Sequence, residues 1–193
     1  MTWAGLRGLV YVGVLLNVVG AAFAQTFSVA GLQHLLQGAP RADVEFTELR
    51  ESRWLAAPIK SSGTMRSSVT SLEKRVEQPR LEIWRILDDR MQVSMPGSDS
   101  VKEILLDQAP AAAALANTLR RVMAGDLDAL TKDFQLKLSG DESEWGVQLI
   151  PRHADVARQL KQIALQGAGQ RLSVIVIVET QGDRTTTHLH YPK

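Results

Sequence analysis

The 193-residue chain reads as an α+β protein built on an antiparallel sheet. Three observations predict this. Short runs of alternating apolar and polar residues recur along most of the chain, as half-buried strands do. The turns between them are too short for parallel crossovers. Two amphipathic stretches of helical period, near residues 26–37 and 110–125, punctuate the strands in the order helix, about six strands, helix, about five strands.

The first 24 residues stand apart from this pattern. They carry one positive charge at Arg7, an apolar run from Leu9 to about Ala22, and small residues at Ala22 and Ala24. Those are the three parts of a secretory signal peptide, with cleavage expected after Ala24. An uncleaved anchor is the alternative, but Gly13, Asn17 and Gly20 interrupt a run that is already short for a bilayer span of about 20 residues. No cysteine follows the cleavage site, so no lipid anchor is expected there. Residues 25–193 then form a single soluble domain. Removing the leader takes away Arg7 and no acid, so the formal net charge of +1 falls to zero.

Within the domain, Phe27, Ala30, Leu32, Leu35 and Leu36 space a first helix that Gly38 and Pro40 end. Val44 and Phe46 share one face of a strand over 43–52. Trp54, Leu55 and Pro58 form an apolar turn, and Ser61-Ser62-Gly63 opens a second strand expected over 64–69. Strands follow at 71–78, 81–87, 91–95 and 101–106, with Asp88-Asp89 and Pro96-Gly97 as turns. In the 81–87 strand, Leu81, Ile83 and Leu87 fall on one face, Glu82 and Trp84 on the other. Pro110 begins the clearest helix, whose stripe holds Leu115, Leu119, Val122 and Met123 while Arg120 and Arg121 fall away from it. A short polar helix is expected at 126–132. Phe134 to Leu138 and Trp145 to Leu149 form a hairpin. The segment 151–161 is ambiguous, and strands are expected at 163–165, 171–179 and 185–191.

Most chemistry is excluded by what the sequence lacks. Zero cysteines remove thiolate metal sites, cysteine nucleophiles and redox pairs. A near-neutral charge argues against a nucleic-acid surface. Neither GxGxxG nor GxxxxGK[ST] occurs, so no nucleotide cofactor is expected. His188 and His190, two apart in a strand, project from one face as two metal ligands would, but the sequence places no third ligand with them. Ser61-Ser62-Gly63 is not a nucleophile elbow. The protein is therefore expected not to be an enzyme.

The apolar faces carry more information. The sheet side lined by Val44, Phe46, Met65, Leu81, Ile83, Met91, Val93, Met95 and Leu105 faces helices bearing Leu35, Leu36, Leu115, Leu119 and Val122. That surface is either an ordinary core or the wall of a cavity for an acyl chain. Flexible methionines suit a ligand of variable shape.

The order of short motifs resembles that of the periplasmic outer-membrane lipoprotein carrier family, LolA and its relatives. The matching residues are Phe46-Thr47-Glu48, Leu55-x-x-Pro58, Ser61-Ser62-Gly63-Thr64-Met65, Leu72 and Pro79 with the strand over 81–87, and Glu179-x-x-Gly182-Asp183-Arg184-Thr185. The resemblance implies an incomplete β-barrel of about eleven strands, covered by lid helices over a lipid-binding cavity. It further implies a monomeric periplasmic carrier that takes an acylated lipoprotein or lipid cargo from an inner-membrane donor to an outer-membrane acceptor. In the main carriers an Arg-Pro pair six residues after the strand glycine helps hold the lid. Counting from Gly63 gives Val69-Thr70 here, so the latch must differ and the chain looks like a divergent branch. A second possibility is an interaction or sensor module on the same scaffold, with no lipid cargo.

Overall fold

The structure is a computed structural model that describes residues 27–39, 43–68, 71–97 and 101–192. The expected leader and the Val69-Thr70 pair lie outside them. A nine-residue helix α1 (Val29–Gln37) opens the described chain, with the Ser28 hydroxyl accepting from the Gly31 amide at 3.1 Å as its N-cap. Six strands follow: β1 (Val44–Glu51), β2 (Ile59–Ser67), β3 (Leu72–Gln78), β4 (Glu82–Ile86), β5 (Arg90–Ser94) and β6 (Val101–Leu105). Helix α2 (Pro110–Met123) starts on a proline, whose missing N–H is no loss in a first turn. Then come a 3-10 turn over Asp128–Lys132, strands β7 (Phe134–Gly140) and β8 (Trp145–Pro151), a one-turn helix α3 (Ala154–Ala157), and strands β9 (Leu160–Ala168), β10 (Arg171–Glu179) and β11 (Arg184–His190).

All eleven strands form one antiparallel sheet in the order β6-β5-β4-β3-β2-β1-β11-β10-β9-β8-β7. Strand β1 is its centre, and β6 and β7 are free edges, so the sheet curls without closing. Curvature requires irregularities, and they fall where side chains would obstruct it. A register shift at Ser62/Gly63 brings β2 so close to β3 that a Cβ on Gly63 would overlap the Arg75 carbonyl. On the other wing Gly167 lies under the Trp145 ring, whose indole N–H donates to the Gly169 carbonyl at 2.9 Å.

The two wings are filled differently. Over β7–β11, α1 and the 3-10 turn, large side chains are fully enclosed, among them Leu32, Leu130, Phe134, Trp145, Leu149, Ile163 and Ile175. This is the solid core. Over β2–β5, α2 covers a smaller cluster of Leu72, Ile86, Leu106 and Ala116, with Met91, Leu119 and Met123 only partly buried.

Four sequence expectations need correction. Strand β2 begins at Ile59 rather than at Thr64, because Ser61 and Ser62 pair directly with Glu48 and Thr47. Strand β4 faces the other way: register with β3 puts Trp84 opposite Lys74 and Ile86 opposite Leu72, so Trp84 and Ile86 point inward and Ile83 outward. The ambiguous 151–161 segment holds α3, and β9 starts at Leu160 rather than Ile163. Arg120 does not fall away from the apolar stripe; its side chain is mostly buried.

At the rim, exposed ion pairs join neighbouring strands. The Arg66 fork holds the Asp43 carboxyl below its usual range, and Arg90 does the same to Asp89. Glu103 is lowered first by the Gln92 amide and then by Arg90. Carboxyls lowered in the folded state favour folding above their unfolded pKa of about 4 and lose that contribution below it. The melting temperature should therefore hold from pH 7 to about 5 and fall below about 4, and a thermal scan in stepped buffers measures this. The close approach at Gly167 makes a second prediction. Gly167→Val should cost about 1–3 kcal/mol or more in urea unfolding, because the Trp145 ring and the Arg171 carbonyl must both move.

Candidate functional site: a cavity beneath helix α2

The concave face of the β1–β5 wing and the inner side of α2 leave a cavity of about 280 Å³ between them. Its roof is Ala112, Leu115, Ala116 and Leu119. One wall is Leu72, Trp84, Ile86 and Met91, and the floor is Met65 with Ile177 from β10. Small alanines in the roof leave the space that leucines would fill, so the apolar lining follows directly from the composition of α2.

The floor is not uniformly apolar. Glu48, from the central strand, points inward because it pairs with Ser61 and Thr187, both on the concave face. Its carboxylate accepts from Lys74 Nζ at 2.6 Å, from the Thr187 hydroxyl at 2.7 Å and from the Ser61 hydroxyl at 3.4 Å. The Lys74 ammonium also stands 4.8 Å from the centre of the Phe46 ring. Both charged side chains are less than one-fifth exposed, so each needs the other, and removing one would strand its partner. Arg50, two residues beyond Glu48 on the same face, lines the cavity with Glu179 and Thr185.

A second space of about 290 Å³ lies at the Val44 end of the sheet, between the C-terminal ends of α1 and α2. Leu36, Val122, Met123 and Tyr191 line it. Burial raises the Tyr191 phenol above its ordinary pKa.

Helix α2 is tied to the sheet by a side chain of its own. Arg120 Nη1 donates to Asp88 in the β4–β5 turn, and Arg120 Nη2 contacts Asn117 Oδ1 at 3.5 Å. The guanidinium is 15% exposed while Asp88 is 72% exposed, so the pair bridges the inside of the lid to solvent. Among the described residues Arg120 Nε is buried with no partner, which costs free energy. The cation that fastens the lid thus sits on the helix.

The residues singled out from the sequence divide by position. Met65, Met91, Leu115 and Leu119 line the cavity beneath α2, and Leu36, Val44 and Val122 line the space at the Val44 end. Phe46 and Val93 are buried in the sheet face, and Leu35 packs against the core without lining either space. Ile83 and Leu105 pair across the sheet with Ser94 and Arg90, on the face away from the cavity. Leu81 precedes β4 and is half-buried outside the cavity, and Met95 is 39% exposed after β5. Among the lining residues that escaped the sequence reading are Leu72, Trp84, Ile86 and Ile177, and the charged Glu48, Arg50, Lys74 and Glu179. The strand alternation around Lys74 held the signal, since Leu72, Lys74 and Val76 share a face.

Elsewhere, His190 Nε2 lies 3.1 Å from the Thr47 hydroxyl, and His188 and His190 are exposed. Among the described residues no three histidine, aspartate or glutamate side chains cluster as a metal site would need. Among the same residues no helix is long and apolar enough to cross a membrane.

Comparison with known proteins agrees with this architecture. A family model described as outer membrane lipoprotein carrier protein LolA-like matches residues 21–191. The chain belongs to this family. The family's members are carrier and binding proteins rather than enzymes. Among solved structures, the chain is similar to a LolA superfamily protein from Nitrosomonas europaea, at 11% identity and a TM-score of 0.46, covering 84% of this chain and 90% of that one. It is also similar to a DUF1329 family protein from Desulfovibrio piger, at 12% identity and a TM-score of 0.45, covering 86% and 94%. None of the curated proteins matches.

The latch gives a prediction. Arg120→Ala should change global stability by only about 0.5–1 kcal/mol, because Asp88 is solvated. Amide hydrogen exchange across residues 112–123 should nevertheless accelerate several-fold, with β8–β10 amides unchanged.

Proposed function

We propose that the protein is a periplasmic carrier that shelters the acyl chain of a lipid-linked cargo beneath α2 and passes it between membranes. The observation that carries this reading is an apolar cavity roofed by one alanine-rich helix that packs on the sheet and leaves the space beneath its middle turns unfilled. An acyl chain would fill that space, and each methylene buried beneath α2 contributes about 0.8 kcal/mol. The cavity volume lies at the lower edge of the usual range for ligand sites, about 300–1,000 Å³, which suits one chain rather than several.

In this reading residues 1–24 direct export, and the domain then works as a monomer without covalent chemistry. Direction comes from differential affinity. An inner-membrane donor loads the carrier because the closed state binds the chain, and an outer-membrane acceptor empties it by stabilising the open lid. The lipid-facing set is Met65, Leu72, Ile86, Met91, Leu115 and Leu119. Nothing here calls for a metal, a nucleotide or a nucleic acid.

One observation favours the interaction-module reading instead. Trp54 in the β1–β2 loop is 73% exposed and Ile59, where β2 begins, is 44% exposed, and exposed apolar side chains suit a protein partner. Native mass spectrometry of the exported protein, with organic extraction of what it carries, separates the two. A carrier should yield a bound amphiphile and should take up a fluorescent fatty acid that Leu119→Trp excludes by filling the cavity. A protein that takes up no amphiphile but recovers a stable partner lost on Trp54→Ala would support the module.

A further inference from the structure

The cavity beneath α2 is polar at one end and apolar at the other. Register across the sheet fixes which end is which. Leu72, Ile86 and Met91 stand opposite one another on β3, β4 and β5, and Leu72 pairs with Ser67 at the far end of β2. They mark the end towards which Val44 lies on β1. Arg50 pairs with Ile59 at the start of β2 and with Thr185 at the start of β11, next to the end of β10 where Glu179 stands. They mark the opposite end, and Glu48 with Lys74 lies between.

The four charged side chains lining the cavity cancel, two acids against two bases. Glu48 and Lys74 are joined to each other and are nearly enclosed. Arg50 is different. Its nearest acidic partner among the described residues is Asp183, at 3.8 Å, and its side chain is 54% exposed, so most of its five N–H donors are free for a ligand. No ion pair among the described residues joins it to Glu179. The polar end therefore offers donors from Arg50 beside an acceptor from Glu179, with the Asp183 carboxylate 3.8 Å from Arg50.

We propose that this end is a head-group subsite for an amphiphile with one aliphatic chain and an uncharged, hydrogen-bonding head. An ester or amide carbonyl accepts from Arg50, a hydroxyl or amide N–H donates to Glu179, and the chain runs past Lys74 towards Ile86 and Met91. A charged head of either sign would meet a like charge there, an anion Glu179 and Asp183 and a cation Arg50, and such heads bind poorly. The inference rests on the carrier reading and names the class of its cargo.

The test is displacement of the neutral fluorophore N-phenylnaphthylamine from the full chain by three C16 amphiphiles below their micellar concentrations. These are monopalmitoylglycerol, palmitate and cetyltrimethylammonium. Monopalmitoylglycerol should bind at least about tenfold more tightly than either charged ligand. Arg50→Gln and Glu179→Gln should each weaken it several-fold more than they weaken the fluorophore, with the melting temperature showing that the fold remains intact. Equal or tighter binding of palmitate or cetyltrimethylammonium overturns the inference, as does unchanged monopalmitoylglycerol affinity in both variants. Displacement by none of the three overturns the carrier reading itself.

Discussion

The sheet must curl but cannot close, and the rest of the molecule follows from that constraint. Eleven antiparallel strands with free edges at β6 and β7 present one continuous concave face. That face is apolar enough that water cannot be left on it, and one chain supplies few helices to cover it. The two wings meet the demand in different ways. Trp145, Phe134 and Leu130 fill the β7–β11 wing with large side chains. The β2–β5 wing instead receives α2, an alanine-rich helix that spans the hollow without filling it.

The filled wing holds the close-packed core, and the hollow wing holds the candidate site. Close packing in the first lets the second bear an unfilled volume, a buried charge pair and a lid arginine with an unpartnered Nε. Each of these costs free energy, and they cluster around one cavity. The arginine latch shows the same economy. A cation on α2, paired with a solvated aspartate on a hairpin turn, ties the helix to the sheet without burying the acid.

Much of the architecture was legible in the sequence. Element order, the antiparallel sheet and both long helices follow from periodicity, because Met91-Gln92-Val93 and Leu115-x-x-x-Leu119 each fit one period only. The faces were harder to read. The stretch Leu81 to Leu87 has apolar residues on both faces, and only its register with Leu72 and Lys74 decides that Trp84 and Ile86 turn inward. The site was the least legible. Alternation treats charged residues as outward markers, yet Glu48 and Lys74 point inward because each satisfies the other across β1, β2 and β3. Arg120 misled for a related reason: its stem lies along the apolar stripe while its head reaches Asp88. The tight approach at Gly63 leaves no periodic trace at all.

A cargo acyl chain should enter the hollow wing and not merely adhere to the surface, and Trp84 reports on this directly. It lines the cavity, whereas Trp145 is enclosed in the solid core and Trp54 is exposed on a loop. Titration with an acyl chain brominated along its length should quench part of the tryptophan emission. That fraction should disappear in Trp84→Phe, with binding of an unbrominated chain preserved. Quenching that is absent, or that persists undiminished in Trp84→Phe, would contradict a cargo site beneath α2.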